Sequence, residues 1–256
     1  MKKYCRIKCV GQKQVPIDNW ITTTTACTNR LFYVLGGQGG YILNDIKIPF
    51  KANHLYLIPG FAKISLYSSY DPIENRLNHS YTNFELLPPI ISNSVIELDP
   101  KSDERIESAL NSFNTICKNC PGNNVTNLAD SELTYFKSVV VYIVEKMIEK
   151  SQAKLMDDKV ILKALEIMHR NLPNKVSIAK IAEDCFMSTD GFIRKFNKHI
   201  GETPYSYLKK LKISTALNLQ ECGMPMEEIA EKCGYSDATT LYHAIENTLK
   251  TRPNFR

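Results

Sequence analysis

No stretch of this 256-residue chain offers the ~20 consecutive apolar residues that a membrane-spanning helix requires. The basic start (Lys2, Lys3, Arg6, Lys8) is not followed by the apolar run of an export signal, so a signal peptide is not expected. A disulfide framework is missing as well. Eight cysteines at irregular spacings, with no export signal, read as reduced thiols of the cytoplasm. Cys117 and Cys120 form a lone CxxC. A zinc site needs about four ligands and no second pair lies nearby, so ordinary loop residues are the simpler reading. The N-terminal region has His54 and His79 but no His-x-His pair, and no metal or cofactor is expected.

What is present is the composition of a globular protein, 43% hydrophobic and 23% charged, at a length that suits two domains. The first hundred residues are β-rich. Leu31–Leu35 and Tyr41–Leu43 flank the glycine-rich 36–40 and read as a hairpin. Asn44-Asp45 marks a turn before Ile46-Lys-Ile, and Leu55–Ile58 is a strand closed by Pro59-Gly60. Many short strands at even spacing point to a sandwich or barrel. After Pro100 the pattern turns helical, over about 102–117 and 130–151. In the second helix Leu133, Phe136, Val140, Ile143 and Met147 make an apolar stripe, read as a dimerisation face with packing on the barrel as the alternative. The reading is residues 1–151 as a sensing and dimerising domain, 152–157 as a polar linker and 158–256 as an all-helical domain.

The helical domain repeats itself. Ile181-Ala-Glu-Asp-Cys-Phe-Met-Ser188 is echoed by Ile229-Ala-Glu-Lys-Cys-Gly-Tyr-Ser236, so one small unit is used twice. Each copy has the shape of a helix, a turn and a second helix, whose commonest task is to place the second helix in the major groove of DNA. In the first unit Ser177 and Ser188 are N-caps, and Phe192, Phe196 and Ile200 face inward. The opposite face carries Asp190, Gly191, Arg194 and Lys198, with Lys195 at its border and Thr189 at its start. Arg194 suits a guanine or a phosphate, Lys195 and Lys198 suit phosphates, and Gly191 permits close approach of the backbone.

Gly201 ends that helix, and Thr203-Pro204 starts another that runs to about Cys222 with Leu208, Leu211, Thr215 and Leu219 inside. Its Lys209, Lys210 and Lys212 are candidates to follow the DNA backbone. In the second unit Leu241, Ile245 and Leu249 face in, and Thr239, Thr240, His243, Glu246 and Asn247 face out, without a lysine or arginine. From Lys175 to Lys212 there are eight basic and four acidic residues, and from Ile213 to Arg256 four basic and six acidic. DNA affinity rests on neutralising phosphates, so the first unit should dominate and the second be structural or weakly binding.

Residues 177–256 resemble the DNA-binding domain of the AraC/XylS family of bacterial transcription regulators. The resemblance is carried by Ile181-Ala182, Ser188, Phe192/Arg194/Phe196, Gly201-x-Thr203-Pro204, the long helix through Ala216, Glu228-Ile229-Ala230, Cys233–Asp237 and Pro253-x-Phe255-Arg256. The family usually has an aromatic, an arginine, a phenylalanine and a lysine where this chain has Leu241, His243, Ile245 and Glu246. Lys250 replaces a usual glycine, and Lys212 stands in an arginine position. The N-terminal part resembles the cupin-like barrel that often precedes this domain, through Phe32–Leu43, His54–Pro59 and His79-x-Tyr81-x-x-Phe84. The resemblance implies an α+β two-domain fold: a cupin-like β-barrel with trailing helices, then two helix-turn-helix units joined by a long helix.

It also implies a cytoplasmic, non-enzymatic, DNA-binding regulator, with double-stranded DNA, a small effector, RNA polymerase and a second copy of the chain as partners. Tyr33, Tyr41, Tyr56 and His79 are the candidate effector residues, against the simpler reading of strand aromatics as core. Two rival readings are a metal cupin enzyme with a DNA-binding tail, and a module whose second unit binds a protein through Glu227, Glu228 and Glu231.

Overall fold

The computed structural model describes residues 4–14, 22–24, 28–60, 64–68, 76–92, 94–120, 125–172, 174, 176–221 and 224–250. They divide into two compact units, Met1–Met156 and Asp157–Arg256. In the first unit, strands β1 (Tyr4–Gln14), β3 (Asn29–Gly36), β6 (Leu55–Ile58), β8 (Asn78–Leu87) and β10 (Ile96–Leu98) form an antiparallel sheet ordered β1-β8-β3-β6-β10. A second sheet is ordered β2-β7-β4-β5, from β2 (Thr22–Thr24), β4 (Gly39–Leu43), β5 (Ile46–Pro49) and β7 (Ile64–Ser68). Helices α1 (Glu104–Asn119) and α2 (Asp130–Glu149) follow.

The five-stranded sheet is covered on both faces. Alternate residues of a strand point to opposite sides, and here both sets are apolar. Leu31, Leu57 and Phe84 pack with Ile106, Phe113, Phe136 and Ile143 of the helices. Phe32, Val34, Tyr56 and Ile58 pack with Tyr41 and Leu66 of the second sheet. The result is three layers, helix on sheet on sheet, and β6 is buried at every position. This is the β-rich domain with trailing helices that the sequence implies.

Four expectations are corrected. First, β3 and β4 do not pair as a hairpin; they belong to different sheets. Gly37 carries the chain across with φ +80°, and a Cβ there would lie 1.9 Å from the Arg76 carbonyl oxygen. The hairpin is instead β4–β5, closed by Asn44 and Asp45 at φ 51° and 64°. Two positive φ values in succession are what a two-residue hairpin turn with right-handed twist requires.

Second, the α2 stripe is not an open dimer face. Phe136, Val140, Ile143 and Met147 are all fully buried within their own unit, and Leu133 packs at the edge of the same core. Third, Cys117 and Cys120 are not loop residues. They close α1 and are buried, and burial pushes the Cys117 thiol far above its ordinary value. Fourth, the stretch read as a linker contains a strand, β11 (Lys154–Leu155), paired with β9 (Ile90–Ile91), and the first unit extends to Met156.

Because α2 anchors the helical layer, Phe136→Ala should cost about 3–5 kcal/mol, seen as a lower urea midpoint for the first unit. A loss near zero would show that the stripe does not hold this layer.

Candidate nucleic-acid interface

The second unit begins with α3 (Lys159–Arg170). Then come α4 (Ile178–Asp184) and α5 (Thr189–Ile200), α6 (Pro204–Glu221), and α7 (Met226–Lys232) and α8 (Ala238–Lys250). Side-chain caps set most of the helix starts. Asp158 accepts from the amides of Val160 and Ile161, Ser177 from Lys180, Ser188 from Gly191, Thr203 from Ser206 and Asp237 from Thr240. Each satisfies donors that a helix N-terminus leaves open. Helix α7 starts at Pro225 without a side-chain cap.

The repeated phrase is packing. Ile181, Ala182 and Cys185 of one copy, and Ile229, Ala230 and Cys233 of the other, are all buried. Both turns close the same way. The Met187 amide donates to the Ala182 carbonyl at 2.9 Å, and the Tyr235 amide to the Ala230 carbonyl at 2.8 Å. The turn forces its second residue into the left-handed region, at φ 68° for Gly234 and φ 58° for Phe186. Glycine tolerates this, and phenylalanine does so at a cost. The Phe186 ring is 91% exposed, with the Lys163 ammonium 4.7 Å from its centroid.

Helix α6 is buried on two sides rather than along one stripe. Tyr207 and Leu211 are buried early in the helix, and Tyr207 meets Phe196 at 5.6 Å and the His169 ring nitrogen at 3.0 Å. Ile213 and Ala216 are buried later, in one core with Ile229, Cys233 and Leu241. Leu211 and Thr215 are inside as expected, whereas Leu208 and Leu219 are half-buried. Eighteen residues at 1.5 Å each make α6 ~27 Å long. The side chain of Leu249, and Cys222, Gly223 and Pro253–Arg256, lie outside the described residues.

On α5, Phe192, Phe196 and Ile200 are buried, while Asp190, Arg194, Asn197 and Lys198 are exposed. Asn197 escaped the sequence reading because it sits at the flank of the helical wheel. It adds an amide able to read adenine. Thr189 and Gly191 are half-buried. A Cβ on Gly191 would lie 2.9 Å from the Ser188 hydroxyl, so this glycine also protects the cap. Lys195 does not point free. Its ammonium is 2.8 Å from the Asp158 carboxylate, and His199 approaches the same carboxylate at 3.5 Å. The Asp158 carboxyl is held below its ordinary value: burial would raise it, but the bond from Lys195 and the Ile161 amide outweigh that.

Two of the three α6 lysines are also engaged. Lys210 pairs with Glu202 at 2.6 Å, and Lys212 donates to the Gly234 carbonyl at 3.3 Å beneath the Tyr235 ring. Lys209 is exposed. On α8, Thr239, Thr240, His243 and Asn247 are exposed and Glu246 is half-buried. The Thr240 hydroxyl is engaged by Asp237 and Ser236, which leaves it a capping role. His243 faces Glu246 at 3.9 Å. Replacing Phe186 by glycine should stabilise this unit by roughly 0.5–1 kcal/mol, read as a higher melting temperature. A lower one would mean that the ring contributes more than its backbone costs.

In the first unit the structure gathers three of the four candidate effector residues. Tyr41, Tyr56 and His79 join Phe32 and Phe50 between the sheets, with ring centroids 4.5–6.3 Å apart. These are the spacings of packed aromatic core. Tyr33 lies on the opposite face of β3, its hydroxyl 3.4 Å from Asn53. His54 turns to the Ala52 carbonyl and Glu97, so the two histidines do not converge as ligands. Burial, aided by the Lys13 charge, lowers the His79 pKa to about 3.

The unfolded imidazole takes a proton near pH 6.5 that the folded one refuses. The first unit therefore loses stability as pH falls from about 6.5 towards 3, by about 2 kcal/mol at pH 5. His79→Phe should flatten that decline in a pH series of melts. An unchanged decline would assign the acid sensitivity to other groups.

The helix-turn-helix domain family matches residues 181–254. A putative AraC-like transcription regulator of Streptomyces antibioticus is 29% identical over 97 residues, 38% of this chain and 32% of that protein. The probable transcriptional regulator LumQ of Photobacterium leiognathi is 22% identical over 174 residues, 65% of this chain and 67% of that protein. The chain thus spans about a third of the Streptomyces relative and two thirds of LumQ. ToxT of Vibrio cholerae shares the fold over both units, with TM-score 0.61, 12% identity, and coverage of 95% of this chain and 92% of ToxT. Residues 181–254 thus match a helix-turn-helix domain family, and the chain is similar over this region to an AraC-like transcription regulator.

Proposed function

We propose that the chain regulates transcription by binding a specific DNA sequence, with its first reading unit supplying most of the affinity. The observation that carries this is the contrast between the two outward faces. Helix α5 exposes Arg194, Asn197 and Lys198 beside Thr189 and Asp190, while α8, among its described side chains up to Thr248, exposes Thr239, His243 and Asn247 and no lysine or arginine. Phosphate neutralisation needs cations, and base reading is strongest where a guanidinium can bond guanine twice. Helix α8 then reads bases and sets register without adding much electrostatic pull. Such a protein works in the compartment that holds DNA, the cytoplasm. Among the described residues no helix is long and apolar enough to cross a membrane, and the curated relatives are named as regulators of transcription.

The first unit is the sensing part in this reading. ToxT has been solved with an unsaturated fatty acid bound. An apolar acid is the effector class we adopt here; among the described residues Lys8 is a buried cation of this unit, and it would have to exchange its Glu85 partner, 2.9 Å away, to meet a carboxylate. A homodimer would use surfaces other than the α2 stripe. A second reading, contact of α7 with RNA polymerase or another protein, is favoured by the exposed Glu227, Glu228 and Glu231.

In a quantitative gel shift on a fragment selected from genomic DNA, Arg194→Ala should weaken binding roughly 10- to 100-fold, and His243→Ala by less than about threefold. The reverse order would overturn the division of labour. A footprint of two adjacent major grooves per monomer would exclude the protein-contact role for the second unit.

A further inference from the structure

We propose that Asp158 is a positioning residue for the reading helix, and that it withholds Lys195 from the DNA backbone. The inference rests on the reading of α5 as the DNA helix. Asp158 does two things at once. One carboxylate oxygen caps α3, accepting from the amides of Val160 and Ile161 at 3.0 and 3.1 Å. The other holds the Lys195 ammonium at 2.8 Å and faces His199 at 3.5 Å. His199 in turn has its second ring nitrogen 2.9 Å from the Lys195 carbonyl. The carboxylate is 18% exposed, so the pair is shielded more than an ordinary surface ion pair.

The consequence concerns counterions. A lysine adds to the salt dependence of DNA binding because it replaces cations condensed on a phosphate. A lysine already neutralised 2.8 Å away releases nothing unless its pair breaks. Lys195 should therefore contribute to the orientation of α5 against α3 rather than to the phosphate count. Arg194 and Lys198, one turn apart on the exposed face, then define the cationic contact of this helix. The pair also ties the first residues of the C-terminal unit to its reading helix.

Asparagine caps helices about as well as aspartate, which separates the two functions of Asp158. Asp158→Asn in the full chain keeps the cap and removes the charge that holds Lys195. Binding to a fluorescent random-sequence duplex is measured by anisotropy across a salt series, with a thermal melt of each variant. In the wild-type background Lys195→Gln should leave the slope of log K against log salt unchanged. Asp158→Asn should steepen that slope by about 0.9 and tighten binding about fivefold at 0.15 M salt, as one added phosphate contact does. The double variant Asp158→Asn/Lys195→Gln should return the slope to the wild-type value, with the melting temperature of Asp158→Asn near that of wild type. If Lys195→Gln alone flattens the slope by about 0.9, Lys195 is an ordinary phosphate ligand and the proposal is overturned. An unchanged slope in Asp158→Asn, or weaker binding by it, overturns it equally. Should Arg194→Ala bind the duplex as well as wild type, the assignment of α5 as the DNA helix fails instead.

Discussion

The C-terminal unit depends on α6 being buried from two directions. A helix packed on one core shows one apolar stripe. Helix α6 shows two, Tyr207 and Leu211 towards the first reading unit, Ile213 and Ala216 towards the second. Neither helix pair is large enough to enclose its own apolar face, so each borrows α6. That shared helix makes the separation of α5 and α8 a property of backbone geometry, fixed by a helix ~27 Å long. The aromatic contacts Phe192–Phe196–Tyr207, at 5.6 Å each, and the ammonium of Lys212 beneath Tyr235 fasten one reading unit each to this strut.

Within that frame the duplication has preserved what packs and released what faces outward. Ile, Ala and Cys recur at the same three buried positions in both copies. The turn position shows the limit of that freedom. Gly234 suits a φ of 68°, whereas Phe186 adopts 58° with its ring in solvent. The turn geometry is imposed by the two hydrogen-bonded helices, and the residue type follows only where selection of the backbone outweighs other demands.

The parts of the structure legible in the sequence are those decided by neighbours along the chain. Ser177, Ser188 and Thr203 cap the helices they were read to cap, because a cap is a bond between residues two or three apart. The Asn44-Asp45 turn was legible for the same reason. Contacts between distant positions were not. The β3–β4 hairpin failed because nothing local reveals that Gly37 hands the chain to a different sheet, where β4 pairs with β7. The α2 stripe was visible, but its partner was not. An apolar face reads the same whether a second copy covers it or Phe113, stacked on Phe136 at 5.6 Å, does. The ion pair of Lys195 with Asp158, 37 residues earlier, leaves no trace in the helical wheel.

The engaged cations change how the basic character of the first unit is to be understood. Net charge over a segment counts every lysine equally. Here Lys180 sits between Glu183 and Asp184, Lys195 against Asp158 and Lys210 against Glu202. The Lys180 pairs are exposed and the other two are partly shielded; in the DNA-binding reading proposed above, each removes a cation from the set that meets DNA without cost. In that reading the exposed cations of α5 are Arg194 and Lys198, with Lys209 on the adjoining helix. A small number of well-placed cations favours discrimination between sequences over non-specific attraction, since non-specific affinity is almost wholly electrostatic. The lack of a lysine or arginine among the described side chains of α8 works in the same direction. Its Asn247 and His243 can add to affinity where the bases match, and add little where they do not.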